Sequence, residues 1–61
     1  MQVVTINPGD RRHFIDDPDA PDPHTVRSVR NDEVTIQYDD GAHETFPIVG
    51  YMIDTEHLEA A

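Results

Sequence analysis

Apolar and polar residues alternate through the middle of this chain, which is the pattern of a strand with one buried face. Val34, Ile36 and Tyr38 are separated by polar neighbours. The turn-forming pair Asn31-Asp32 precedes that run, and the pair Asp40-Gly41 follows it. The pattern therefore predicts a meander of three antiparallel strands joined by two tight turns.

The first turn determines the register between the first two strands of the meander. A two-residue turn pairs Arg30 with Glu33 and Val29 with Val34, and both pairs are favourable. Val26 and Val29 are three residues apart, which breaks strict alternation. A β-bulge between them returns both side chains to the core face, so we predict a bulge there.

The second turn allows two registers. A two-residue loop pairs Thr35 with Phe46, whereas a three-residue loop with Gly41 in the left-handed region pairs Val34 with Phe46. The three-residue loop places the apolar side chains of both strands on one face. We therefore predict that register, because a slip of one residue would move Phe46 to the other face.

Prolines and turn formers divide the rest of the chain. Gln2–Ile6 is a β-branched run, ended by an Asn-Pro-Gly-Asp turn, and Arg11–Ile15 is predicted as an extended strand. Residues 16–23, DDPDAPDP, predict an extended loop, since prolines and aspartates suit neither a helix nor a central strand. Residues 48–53, IVGYMI, predict a short 3₁₀ or helical turn leading into a last strand. Residues 54–61 are predicted to form a helical turn or a frayed end.

The chain is long enough for one domain, and we assign residues 1–61 to a single unit. A chain this short buries only about 60% of the surface of its unfolded form, so its core is small. It has no cysteine, which excludes disulfides and thiolate-bound metals. No apolar run approaches the roughly 20 residues of a membrane span, and no signal peptide is apparent, so the expected compartment is the cytoplasm.

The charge of the chain is strongly negative and unevenly distributed. Thirteen acidic residues stand against four arginines and no lysine, which gives a net charge of −9. All four arginines lie in residues 1–30, which carry −1, while residues 31–61 have no basic residue and carry −8. Such a field repels nucleic acid and anionic membranes and attracts basic protein partners. Solubility, or the salt adaptation of a halophile, would account for the same composition.

The spacing of the apolar residues resembles that of SH3-like barrels, in particular the Tudor and related branches. The string V-x-x-V-x-x-x-x-V-x-I-x-Y-x-D-G with E-x-F after it is carried by Val26, Val29, Val34, Ile36, Tyr38, Asp40, Gly41, Glu44 and Phe46. Residues 8–11, PGDR, are similar to the entry of the first strand in such domains, including a short actinobacterial family of uncharacterised function.

The resemblance covers residues 8–53 and implies an all-β fold, a small five-stranded barrel with a long loop after its first strand. Members of this group bind methylated lysine or arginine, proline-rich peptides, RNA, DNA or proteins. The fold alone therefore does not select a ligand.

Acidic residues cluster at the two turns of the meander and in the loop before it. The candidate acidic face for partner binding consists of Asp32, Glu33, Tyr38, Asp39, Asp40 and Glu44. The candidate loop contacts are Asp16, Asp17, Asp19 and Asp22. A basic protein surface would bind such a face, although aspartate is also common in solvated turns. The loop aspartates lack the spacing, central glycine and distal glutamate of an EF-hand, so no calcium site is predicted.

Other kinds of chemistry have less support. An aromatic cage for a methylated cation needs several free aromatic faces, and Phe14, Tyr38 and Phe46 are expected in the core. The four histidines lack metal-binding spacing, and the arginines are expected to pair with the acids rather than to form a strip that binds nucleic acid. No catalytic or phosphate-binding motif is present. We therefore predict no enzyme, no cofactor and no metal.

The sequence thus predicts a non-enzymatic protein-interaction module that docks on a basic partner through its acidic face. Two alternatives stay open. One is an inhibitor of a DNA-binding protein that mimics nucleic acid. The other is a small structural subunit of a larger assembly, such as a virion, in which an edge strand pairs with a neighbour. The sequence does not determine the partner, the host or whether the chain forms a homo-oligomer.

Overall fold

The backbone forms one five-stranded antiparallel sheet and one short helix in the computed structural model, which describes residues 6–58. The elements along the chain are β1 (Arg11–Phe14), β2 (His24–Arg30), β3 (Glu33–Tyr38), β4 (His43–Pro47), α1 (Ile48–Asp54) and β5 (Thr55–His57). The strands are ordered β4-β3-β2-β1-β5, and over the described residues no pairing joins β4 to β5. The sheet is therefore open between these two edges.

The meander has the predicted registers. Val29 pairs with Val34 across the first turn, and Val34 pairs with Phe46 across the second. The second loop has three residues: the Tyr38 N–H donates to the Ala42 carbonyl at 2.8 Å. Gly41 has a φ of 98°, so a residue without a Cβ is required there.

The predicted bulge in β2 is also present. The β2–β3 register shifts between Val26 and Ser28, so one extra residue lies between Val26 and Val29. Val26 is buried and Val29 is half-buried against the core. The bulge thus explains how two valines three residues apart pack on one face.

The N-terminal strand prediction is confirmed in part. Arg11–Phe14 is a strand, and the loop at residues 16–23 contains no helix or strand. The Gly9 N–H donates to the Val26 carbonyl at 2.7 Å, which anchors the predicted turn on β2. The β-branched run at Gln2–Ile6 falls outside the described residues except for Ile6, which is buried and belongs to no strand.

The C-terminal segment differs from its prediction in one respect. Residues 48–54 form an α-helical segment, which agrees with the predicted helical turn, and a last strand follows it. However, Thr55–His57 is itself that strand, so the prediction of a helical turn or a frayed end for residues 54–61 was wrong at these positions, and residues 59–61 lie outside the described residues. Its backbone pairs with β1, with Phe14 opposite Thr55, and these bonds to the outer edge of β1 outweigh the weak helical preference of a few residues.

The core is small, and the helix covers one side of it. Its buried apolar side chains are Ile6, Val26, Val34, Ile36 and Tyr51, with Phe14, Val29, Tyr38, Phe46, Ile48 and Met52 packed against them. Ile48, Tyr51 and Met52 contribute from one face of α1, as the spacing of a helix requires. Among residues 6–58, no helix is long and apolar enough to cross a membrane.

Three polar residues complete the core: His24, Arg12 and Thr55 are all buried. The Arg12 guanidinium donates to the side-chain and main-chain oxygens of Thr55, at 3.0 and 2.9 Å, and lies 5.6 Å from the ring centre of Tyr51. The expected pairing of the arginines with acids is therefore wrong for Arg12. Its stem enters the apolar interior, where backbone and hydroxyl oxygens satisfy the charged head.

His24 joins the loop, β2 and the helix. One ring nitrogen, Nδ1, lies 2.7 Å from the Asp22 carbonyl, and the other, Nε2, lies 2.7 Å from the Tyr51 hydroxyl. A carbonyl can only accept, so Nδ1 carries the proton and Nε2 accepts from Tyr51. This arrangement suits the neutral ring, and burial lowers the pKa of His24 below its ordinary value.

We expect the free energy of unfolding to fall as the pH drops below about 6.5, the ordinary pKa of histidine. Because the pKa of His24 is lowered in the folded chain, the unfolded chain takes up a proton there that the folded chain does not. The contribution is therefore complete above that pH and is lost on acidification. Urea unfolding at about pH 7.5 and about pH 5 measures the effect.

The matched control is His24→Gln, whose amide can donate to Asp22 and accept from Tyr51 but does not titrate. The acid-induced loss of stability should be smaller in His24→Gln than in the parent chain. An equal loss in both proteins would show that other groups cause it.

Candidate functional site

Two hollows lie side by side on the surface around Tyr38. Both are lined by Asp22, Tyr38 and Glu44. The first is completed by Pro23, Asp39, Asp40 and Ala42. The second is completed by Phe14, Asp16, Asp17, Ala20 and Phe46. We call the two together the acidic groove.

The floor of the acidic groove is aromatic. The rings of Phe14 and Phe46 meet edge to face with their centres 5.7 Å apart, and Phe46 stacks on Tyr51 at 5.9 Å. Phe14, Tyr38 and Phe46 are half-buried against the core, as the sequence predicted, and the remainder of each ring faces the hollows. The same side chains therefore stabilise the fold and form the surface of the groove.

The loop between β1 and β2 carries three aspartates to the groove. Its two arms are held by a bond from the Phe14 N–H to the Pro21 carbonyl at 2.7 Å. Asp22 has a φ of 43°, a left-handed conformation that aspartate tolerates better than most residues. Asp16, Asp17 and Asp22 consequently line the hollows opposite β3 and β4. Asp19 does not line them.

Tyr38 and Glu44 form the centre of the groove. The Tyr38 hydroxyl donates to Oε1 of Glu44 at 2.9 Å, across the β3–β4 hairpin. Burial, followed by this bond to a carboxylate, raises the pKa of Tyr38 far above its ordinary value. The phenol is therefore a neutral, fixed donor, and it orients the Glu44 carboxylate at the edge of the groove.

Asp39 and Asp40 have local roles besides lining the groove. Arg11 forms a two-bond ion pair with Asp39, at 2.6 and 3.1 Å, and this pairing lowers the pKa of Asp39. Asp40 accepts a bond from the Ala42 N–H through Oδ1 at 3.0 Å, which closes the turn. Asp39 is thus already partly neutralised within the chain, whereas the carboxylates of Asp22 and Glu44 have no salt bridge among residues 6–58.

The other acidic residues predicted for the face lie elsewhere. Asp32 and Glu33 are at the opposite end of β3 from Tyr38, and the five residue steps from Glu33 to Tyr38 span roughly 17 Å. There Glu33 lies opposite Arg30 in the β2–β3 register. Neither Asp32 nor Glu33 lines the hollows, whereas Tyr38, Asp39, Asp40 and Glu44 do.

Sequence reasoning missed that the loop aspartates and the hairpin acids share one groove. No local pattern signals this contact, because it depends on how the loop folds back over β3 and β4. It also missed the burial of His24, for which a signal existed: His24 and Val26 are two apart and so share a face of β2. Within residues 6–58, no group of three or more potential ligands could hold a metal ion.

We expect Glu44→Gln to lower the pKa of Tyr38, because the carboxylate that accepts a hydrogen bond from its hydroxyl and repels the phenolate is removed. Alkaline titration of the phenolate absorbance measures this. The chain has two tyrosines, and the step that moves in Glu44→Gln belongs to Tyr38. Asp40→Asn is the control and should leave the titration steps of both tyrosines at the same pH as in the parent chain. A titration curve unchanged by Glu44→Gln would contradict the hydrogen bond.

Comparisons with protein-family models, with curated proteins and with solved structures each found no match to this chain. A function for the chain therefore has to be argued from its own residues and charges.

Proposed function

We propose that this chain is a non-enzymatic protein-interaction module that docks a basic protein partner in the acidic groove. One observation carries the proposal: acids from two distant segments converge on one aromatic floor. Asp16, Asp17 and Asp22 come from the loop, and Glu44 comes from β4. No arginine lines either hollow within residues 6–58, and these four carboxylates have no salt bridge there, whereas Asp39 is paired with Arg11.

This arrangement suits a cationic side chain. A guanidinium group can stack on an aromatic ring and bond a carboxylate through two N–H groups at once. Glu44 is held by Tyr38 at 2.9 Å, so one of its oxygens is oriented and the other remains to accept. The net charge of −9 adds a long-range field that accelerates the approach of basic proteins.

We further infer that the five-stranded sheet is that of a single SH3-like barrel of the Tudor-like type. The element order supports this: a long loop after β1, a tight meander, a short helix, and a last strand that returns to β1. In that architecture the acidic groove lies where the long loop meets the meander. The cytoplasm remains the proposed compartment.

We expect the double variant Asp22→Asn, Glu44→Gln to bind a synthetic arginine-rich peptide about fivefold more weakly than the parent, since exposed ion pairs contribute about 0.5 kcal/mol each. Asparagine also tolerates the left-handed backbone at position 22, so the fold should persist. Fluorescence anisotropy of the labelled peptide measures the affinity, and a thermal melt verifies the fold.

The matched control is Glu33→Gln, Glu56→Gln, which changes the net charge equally at residues that do not line the groove. The control should bind the peptide nearly as well as the parent. Equal weakening in both variants would mean that net charge alone attracts the peptide, and the groove would have no specific role.

A further inference from the structure

The helix α1 is apolar on both of its faces. Ile48, Tyr51 and Met52 face the core, while Val49 and Ile53 are 68% and 70% exposed on the other side. The only polar side-chain group between Ile48 and Ile53 is the hydroxyl of Tyr51, which is buried. A surface helix normally carries polar residues on its outer face, so an apolar outer face is typical of a helix that something covers.

A third apolar side chain lies beside the end of this helix. The Ile15 N–H donates to the Asp54 carbonyl at 2.8 Å, and the Ile15 residue is 47% exposed. Val49 and Ile53 are four residues apart and so lie on one line along the helix. We call Val49, Ile53 and Ile15 the apolar strip.

Aspartates stand at both ends of the apolar strip. The main-chain carbonyl of Asp32 accepts a hydrogen bond from the Ile48 N–H at 2.7 Å. This bond places Asp32 at the start of α1. Asp54 ends the helix, and Asp16 follows Ile15 in the chain. Over residues 6–58 none of these three carboxylates has a basic side chain within salt-bridge distance. The two acidic ends are about 10 Å apart for a helix of seven residues.

We propose that the apolar strip is a second docking surface, which shares only Asp16 with the acidic groove, and that its occupant is a basic amphipathic helix of a partner protein. The line from Val49 to Ile53 is a ridge that fits between the side chains of a second helix. Lysine or arginine on either side of the partner's apolar stripe would meet the aspartates at the two ends.

Electrostatic repulsion disfavours two other occupants of the apolar strip, a second copy of this chain and an anionic lipid surface. A second copy of this chain would place aspartates against aspartates and bring together two chains of net charge −9. An anionic lipid surface is repelled for the same reason. A basic helix satisfies both the apolar and the electrostatic requirements of the strip.

The probe is a synthetic amphipathic helix of leucine and lysine at helical spacing, compared with a scrambled peptide of identical composition. The full chain should bind the amphipathic peptide more tightly than the scrambled one. Val49→Gln with Ile53→Gln should weaken that binding by roughly tenfold or more, the size expected when buried aliphatic contacts are lost. Both side chains are exposed, and glutamine favours a helix, so a thermal melt should remain close to that of the parent.

Two controls separate this proposal from the groove. His43→Gln is a neutral change on the exposed surface of β4 and should leave binding unchanged. Asp22→Asn with Glu44→Gln should also leave the preference for the amphipathic peptide intact. If that variant alone removed the preference, the peptide would be binding the groove, and the apolar strip would be excluded.

Two further results would overturn the proposal. Equal affinity for the amphipathic and scrambled peptides would show attraction by net charge only. Sedimentation that reveals a dimer, abolished by Val49→Gln with Ile53→Gln and unaffected by the peptide, would show that a second copy covers the strip.

Discussion

The hydrogen bond between Tyr51 and His24 is the contact on which the rest of this small domain depends. It joins the middle of α1 to the first residue of β2 at 2.7 Å, inside the core. The opposite ring nitrogen of His24 holds the loop through Asp22, and Arg12 packs over the ring of Tyr51 while bonding Thr55. A chain of this size buries little apolar surface, so a fully bonded polar network supplies much of the specificity of its core.

The same network determines the shape of the surface. Asp22 borders both hollows, and its carbonyl is the acceptor for His24. Phe14 and Phe46 contact Tyr51 on one side and form the floor of the groove on the other. The side chains that line the groove, such as Phe14 and Phe46, also pack directly on the core. Any partner that binds the groove therefore contacts residues that stabilise the fold. Stability and binding are thus linked closely in this chain.

The meander was predictable in detail because its side chains obey a period of two. Val34, Phe46 and Gly41 together allow only one register. The burial of Arg12 was not predictable, since arginine is rarely buried and no pattern marks its contact with Thr55. β5 spans only three residues, too few for a pattern, and its existence depends on the free edge of β1. The groove itself required knowledge of where a proline-rich loop folds, which composition does not provide.

The placement of the four arginines has a consequence for proteolysis. All four lie in β1 and β2, and the chain has no lysine, so three of the four bonds that trypsin recognises are within a paired strand, while the bond after Arg30 joins β2 to the turn. A protease needs an extended, accessible backbone, so cleavage within a strand must wait until the sheet opens. Digestion after Arg11, Arg12 and Arg27 would therefore report the population of the opened chain rather than the motion of its loops. Residues 31–61 contain no arginine or lysine, so trypsin has no site within β3, β4, α1 or β5.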